Sequence, residues 1–160
     1  MIIEAGELRM SLHHTKLKAD IGQAKVIADI VGKGHVPCIP LSEHQPYDLL
    51  VVLRSGRMIK LQVKYASLKN NGVVDVKFRT NWMDKNGLHT RVYSEHDFDY
   101  YAIYCPEKNC VIYVPNNSGC PNVIRFVKTA NNQQKNVKWF KDYLDIKEGS
   151  SETIRRLSLI

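Results

Sequence analysis

The stretch QPYDLLVVLRSGRMIKLQVKYA, residues 45–66, does most to limit what this chain can fold into. Two short apolar runs flank Arg54-Ser55-Gly56. A three-residue loop of this kind is a type I turn closed by a residue in the left-handed region, for which Gly56 is the natural occupant. The segment therefore reads as a β-hairpin whose register follows from its loop: Leu53 faces Arg57, Val51 faces Ile59, Leu49 faces Leu61 and Asp48 faces Gln62. Because side chains alternate along a strand, Asp48, Gln62 and Lys64 fall on one face and Leu61, Val63 and Tyr65 on the other. A two-residue loop of Ser55 and Gly56 would pair Asp48 with Val63 instead and separate the three.

Other elements assemble around the hairpin. From Thr15, TKLKADIGQAKVIADIVGKGH has helical spacing in Leu17, Ile21, Ala24, Ala28 and Val31, with Thr15 as a cap and Gly32 and Gly34 as stops; this helix is expected to lie on a sheet. A short segment at Val36–Ile39 and a loop bounded by Pro40 and Pro46 lead into the hairpin. KNNG at 69–72 signals a turn before VVDVKFRT, a strand alternating Val74, Val76 and Phe78 with Asp75, Lys77 and Arg79. A turn at Asn86-Gly87 follows, then FDYYAIYC and CVIYVP as two strands joined through PEKN, then a loop and a helix carrying Trp139, Phe140, Tyr143 and Leu144 as core residues. The order predicts an α/β or α+β fold, a central mixed sheet flanked by helices. With 160 residues and 44% hydrophobic content the chain suits one compact domain. That domain is expected at 15–147, between an extension at 1–14 and a tail at 148–160.

Composition narrows the setting. No stretch approaches the roughly 18 uninterrupted apolar residues that span a bilayer, and MIIEAGELRM carries Glu4 and Glu7 where a secretory signal is basic and then apolar. The expectation is a soluble cytoplasmic protein without a membrane partner. Its four cysteines, Cys38, Cys105, Cys110 and Cys120, are then free thiols. Neither His13-His14 nor the Cys105 to Cys110 spacing is matched by a second ligand pair, which argues against structural zinc. The net charge of +7 favours a polyanionic partner, because a cation that neutralises a phosphate releases a condensed counterion.

An acid, an amide oxygen and an ammonium on one strand face suit metal-assisted phosphodiester hydrolysis. Asp48 and the Gln62 side chain offer oxygens to a hard divalent ion, the Val63 backbone carbonyl is adjacent, and Lys64 can stabilise charge on the attacking water or the phosphate. The competing reading is that Lys64 lies on a solvated face and Asp48 merely opens a strand.

PYD followed across a hairpin by QVK resembles the PD-(D/E)XK nuclease motif, with Tyr47 inserted after Pro46 and Gln62 in place of the usual second acid. With TKLKADIGQAKVIADIVGKGH ahead, DFDYYAIYCPEKNCVIYVP behind and IRFVKTANNQQK near the end, roughly residues 15 to 145 are similar to the small PD-(D/E)XK endonucleases that include a bacterial group I intron homing endonuclease. The resemblance implies a restriction-endonuclease-like αβββαβ core, a divalent metal such as Mg2+, and cleavage of both strands of double-stranded DNA by a homo-oligomer, a dimer or a tetramer. It implies Asp48 as the metal-binding acid, Gln62 as a variant second ligand and Lys64 as the catalytic lysine. The first helix of such enzymes commonly offers a glutamate in a GEA-like context, whereas this chain reads Gly22-Gln23-Ala24. Gln23 lies on a helical stripe with Ala19, Ile27 and Ile30 that can face the sheet. Exchange of Glu for Gln keeps shape and removes charge, so Gln23 is expected to weaken metal binding or cleavage while sparing DNA binding, whether the residue is natural or introduced.

Several residues are expected to touch DNA. Lys16 and Lys18 lead into the first helix, where backbone N–H groups can also meet a phosphate. Lys77 and Arg79, extended by Arg91, share a strand face of the kind that enters a major groove. Lys128, Asn131, Asn132, Gln134 and Lys135 form a polar cluster near the end. For each one a solvated surface is the plain alternative. The reading is a site-specific homing endonuclease. Its alternatives are a Holliday junction resolvase or restriction endonuclease of the same superfamily, and a DNA-binding protein with a disabled nuclease site.

Overall fold

A computed structural model of the chain describes residues 14–42, 44–75, 78–117, 121–128 and 134–147. The helix α1 spans His14–Gly32. Its end is set by Gly34: the His35 N–H donates to the Ile30 carbonyl at 3.1 Å and the Gly34 N–H to the Val31 carbonyl at 2.8 Å. Gly34 itself holds φ +77°, the left-handed residue that such a C-terminal cap requires. The inner face of α1 is not the stripe with the most regular apolar spacing. Val26 and Ile30 are fully buried, whereas Leu17, Ile21 and Val31 are exposed, as are Ala24 and Ala28. Two apolar stripes share this helix at the same spacing, and the period cannot choose between them. The stripe holding Gln23, Ile27 and Ile30 is the one that meets the sheet.

That sheet is built from β1 (Val36–Cys38), β2 (Leu49–Val52), β3 (Met58–Tyr65), β7 (Tyr100–Cys105) and β8 (Cys110–Pro115), in spatial order β1-β2-β3-β7-β8. Every neighbouring pair is antiparallel except β3 and β7, which run parallel. The hairpin has the expected register: Leu49 pairs with Leu61 and Val51 with Ile59, the Leu53 N–H donates to the Arg57 carbonyl, and Gly56 takes φ +85°. One core lies between α1 and the sheet, around Val26, Ile30, Leu49, Val51, Leu61 and Tyr113. A second lies on the opposite face, around Val74, Phe98, Tyr101, Ile103, Ile112 and Ile124. Burial of each such side chain contributes about 1.5–3 kcal/mol before chain entropy is subtracted.

The crossover from β3 to its parallel neighbour β7 departs from the sequence reading. The turn at 69–72 forms, with the Gly72 N–H donating to the Lys69 carbonyl at 2.8 Å and Gly72 at φ +73°. The strand beyond it, expected to be continuous, divides. β4 (Val73–Asp75) pairs with β9 (Val123–Arg125), while β5 (Arg79–Asp84) and β6 (Gly87–Val92) form a separate two-stranded ribbon. Val73 and Val74 are both buried, so two consecutive residues are claimed by tertiary packing and the simple alternation fails. Between β3 and β7 the described residues contain no helix, and these strands stand where the resemblance placed a second core helix.

The expected final helix is a four-residue 3-10 turn, Phe140–Tyr143. Its apolar spacing is met by a single turn: the Phe140 ring stacks on Phe126 with centroids 4.5 Å apart, and Phe140, Tyr143 and Leu144 pack on the second core as expected. Cys38, Cys105 and Cys110 are free thiols, and Cys120 lies outside the described residues. The expected extension and tail lie outside them too, apart from His14. No helix among the described residues is long and apolar enough to cross a membrane.

Candidate active site

β2 stops at Leu49, one residue short of the acid, and this ending makes the site. The Asp48 N–H donates to the Leu61 carbonyl at 2.9 Å, which ends the backbone ladder. Its side chain continues the pairing: Asp48 Oδ2 accepts the Val63 N–H at 2.7 Å and the Gln62 amide N–H at 2.5 Å. A residue's N–H and C=O leave a strand on the same edge, so the Val63 carbonyl faces the side on which Asp48 sits. Gln62 is buried at 8% exposure, the buried polar residue of the described core, and its bond to Asp48 satisfies it.

The hairpin therefore does gather Asp48, Gln62 and Lys64. They line one cavity of about 380 Å³ together with Val63, and α1 closes it with Lys18 and Gln23. The polar pair faces away from α1, and Gln23 reaches the same space because the sheet is open where β2 has ended. Gly22 packs on β3 beside the site: a Cβ there would lie 3.5 Å from the Tyr65 Cβ, an ordinary contact.

Burial dominates the electrostatics. It pushes the Asp48 carboxyl above the ordinary aspartate range, and the Val63 N–H and the Lys64 charge only partly oppose it. It pulls the Lys64 ammonium below the ordinary lysine range, with the Asp48 charge opposing. The ammonium rests over the Tyr93 ring, 5.1 Å from its centroid, a contact that favours the charged form. A half-buried acid and a half-buried lysine with opposed shifts in one cavity are an arrangement that active sites use to hold reactive groups.

Comparison with known proteins shows the family of the chain. A family model described as PD-(D/E)XK endonuclease matches residues 13–146, most of the chain. The chain belongs to the PD-(D/E)XK endonuclease family. Among solved structures, this PD-(D/E)XK chain is similar to that of a bacterial homing endonuclease, I-Ssp6803I, at 27% identity and a TM-score of 0.59, covering 77% of this chain and 84% of that one. No curated protein matches it. Its mixed five-stranded sheet with a helix packed on it is the restriction-endonuclease-like fold expected from the motif. Nucleases of this family generally use divalent metals and act on DNA.

The other residues singled out in the PD-(D/E)XK chain are scattered. Lys18 borders the cavity, its Nζ 5.7 Å from the Tyr65 ring centroid, and Lys16 is exposed two residues earlier. Arg79 opens β5, and Arg91 is paired with Thr80 across the ribbon. Lys128, Gln134 and Lys135 are exposed, while Lys77, Asn131 and Asn132 lie outside the described residues. Sequence reasoning missed Tyr93, which supports Lys64, and Tyr47, whose ring lies 5.6 Å from Lys60 Nζ. No local pattern marks Tyr93, because it reaches Lys64 through the folded crossover. Tyr47 could have been found as the residue inserted into the motif.

Proposed function

We propose that this chain is a homing-type endonuclease that breaks both strands of double-stranded DNA by divalent-metal-dependent phosphodiester hydrolysis, acting in the cytoplasm as a homo-oligomer. The observation that carries this reading is the meeting of Asp48, Gln62, Val63 and Lys64 on one cavity wall with Gln23 opposite. The donors fit a hard cation by type: one carboxylate, one carboxamide and one backbone carbonyl, all oxygen. Asp48, Gln62 and Val63 would hold Mg2+ or a similar ion, which when bound supplies positive charge at the scissile phosphate and a water of lowered pKa. Lys64 supplies a donor for the charge that grows on the phosphate, from a half-buried position where its own charge is less screened than in open water. The exposed stripe of α1, Leu17, Ile21, Ala24, Ala28 and Val31, has the alternating three and four spacing of a helix–helix seam and supports self-association.

A second reading rests on charge. Among the described residues no group of three His, Cys, Asp or Glu side chains could hold a metal, and two glutamines stand in the cavity. That favours a DNA-binding protein whose cleavage is weak or lost, with Gln23 as the cause. Gln23→Glu adds one anionic ligand and is expected to raise Mg2+-dependent cleavage of plasmid DNA. An unchanged rate removes Gln23 from the explanation, and no cleavage by either protein leaves the binding reading. Cutting of intron-free target DNA, with intron-containing DNA spared, would establish homing specificity. Preference for a four-way junction over a long linear site would select a resolvase instead.

A further inference from the structure

Lys64 borders two cavities. Beyond the first lies a second, larger cleft lined by Lys64, Ser67, Lys69, Asp75 and Arg79, with Tyr65 also shared between the two. Three cations face this cleft against one carboxylate, and that carboxylate is engaged: Asp75 bonds the Lys69 ammonium. Arg79 is exposed, and its guanidinium makes no ion pair with the described residues. The wall that carries Lys69 is fixed. The Leu68 N–H donates to Glu107 Oε2 at 2.9 Å, Ser67 bonds the same carboxylate, and the Lys69 N–H donates to the Val73 carbonyl at 2.8 Å. A lysine on backbone held this way needs less ordering when an anion arrives.

A strand whose scissile phosphate sits at Asp48 and Lys64 has its next phosphate close by, and the cleft on the far side of Lys64 is where continuous cationic lining leads. We propose that Lys69 and Arg79 together hold one phosphate of the cleaved strand, the one adjoining the scissile phosphodiester. Arg79 supplies a planar fork of donors and Lys69, steadied by Asp75, a second charge. Arg79 is thereby a phosphate anchor and not a base reader, and Lys69 joins the DNA-binding residues. The inference rests on the nuclease reading, and the test separates the two.

The probe is a random-sequence 20-base-pair duplex, titrated by fluorescence anisotropy with EDTA present, over a salt series. The slope of log affinity against log salt counts the phosphates neutralised, at about 0.9 each for duplex DNA. Lys69→Ala/Arg79→Ala is expected to reduce the slope by about one and to weaken binding several-fold, while Arg57→Ala, at the opposite end of β3, leaves the slope unchanged. A double variant with the wild-type slope overturns the cleft, and a fall of about two overturns the sharing of one phosphate. Wild-type protein that shows no salt-dependent binding overturns the nuclease reading itself, an outcome that the double variant cannot imitate.

Discussion

The β2–β3 hairpin and the segment from Val73 to Val92 carry similar sequence signals and meet different fates. Each joins apolar alternation to a glycine turn. In the hairpin the two strands are each other's partners, so the loop that joins them also sets their register, and every pairing from Leu53 to Leu49 follows from it. In the second segment the partners are mixed: β5 turns back on its neighbour β6, but β4 takes a distant one, with Val74 opposite Ile124. Where the partner is local, turn chemistry decides the structure. Where it is remote, burial decides it.

Substitutions at the site test the hairpin side of this contrast with the largest effect. Lys64→Met is expected to lower the cleavage rate by about 10² to 10³, the loss usual for one donor at a developing charge, and Asp48→Asn by more. Both should melt at a higher temperature than the wild type, because each removes a charge that burial disfavours. A gain of about 0.5–2 kcal/mol is the usual scale for relieving such a functional compromise. Cleavage rates and thermal melts in parallel decide the point; loss of both activity and stability would mean that the pair is structural.

The turn glycines sharpen the contrast. A Cβ on Gly56 would meet no described atom within 4 Å, but a Cβ on Gly72 would sit 2.7 Å from the Val127 Cβ. Both glycines have positive φ. Gly56→Ala should cost about 1–2 kcal/mol for the left-handed backbone alone. Gly72→Ala should add to that about 1–3 kcal/mol of overpacking. Chemical denaturation of the two variants reads the difference directly, and equal losses would show that the β4–β9 unit yields without resistance.

Legibility followed the same division. The gathering of Asp48, Gln62 and Lys64 at one cavity is legible because the three belong to one hairpin, and that of Gln23 because its stripe holds Ile27 and Ile30. The period of α1 does not itself select an inward face: Leu17, Ile21 and Val31 repeat as regularly as Ile27 and Ile30 and lie outside, since two stripes of equal period differ only in what the rest of the chain places against them. Lys69, proposed as a phosphate contact, opens the turn signal KNNG, which carries backbone information and none about its side chain. Tyr93 had no local signal at all.

A pH series separates the Asp48 contribution from the rest. The folded carboxyl titrates above its unfolded counterpart, so its ionised form weakens the fold above the folded pKa, and the penalty fades as pH falls through that value towards the unfolded one. Asp48→Asn should therefore lead the wild type in stability near neutral pH, and the lead should shrink in acid. Lys64 runs the other way. Its folded pKa is lowered, so the lead of Lys64→Met should shrink as pH rises from the folded towards the unfolded lysine value. Leads that stay constant with pH would assign both effects to packing.

The smallest effect falls on α1, at the glycine where the helix packs on β3 beside the site. Glycine inside a helix is less favourable than alanine by about 0.5–1 kcal/mol, so Gly22 is retained at some loss unless a side chain cannot fit. The added Cβ would lie 3.5 Å from the Tyr65 Cβ and 3.8 Å from the Lys64 carbonyl oxygen, both ordinary contacts. Gly22→Ala is therefore expected to raise stability by up to about 1 kcal/mol with little change in cleavage, as judged by urea denaturation beside a rate measurement. If stability rises and cleavage falls, the few tenths of an ångström between α1 and β3 matter to Gln23 and not to the core. If stability falls, the helix sits closer to Tyr65 than these contacts indicate, and the approach through Gly22 is a packing requirement of the fold.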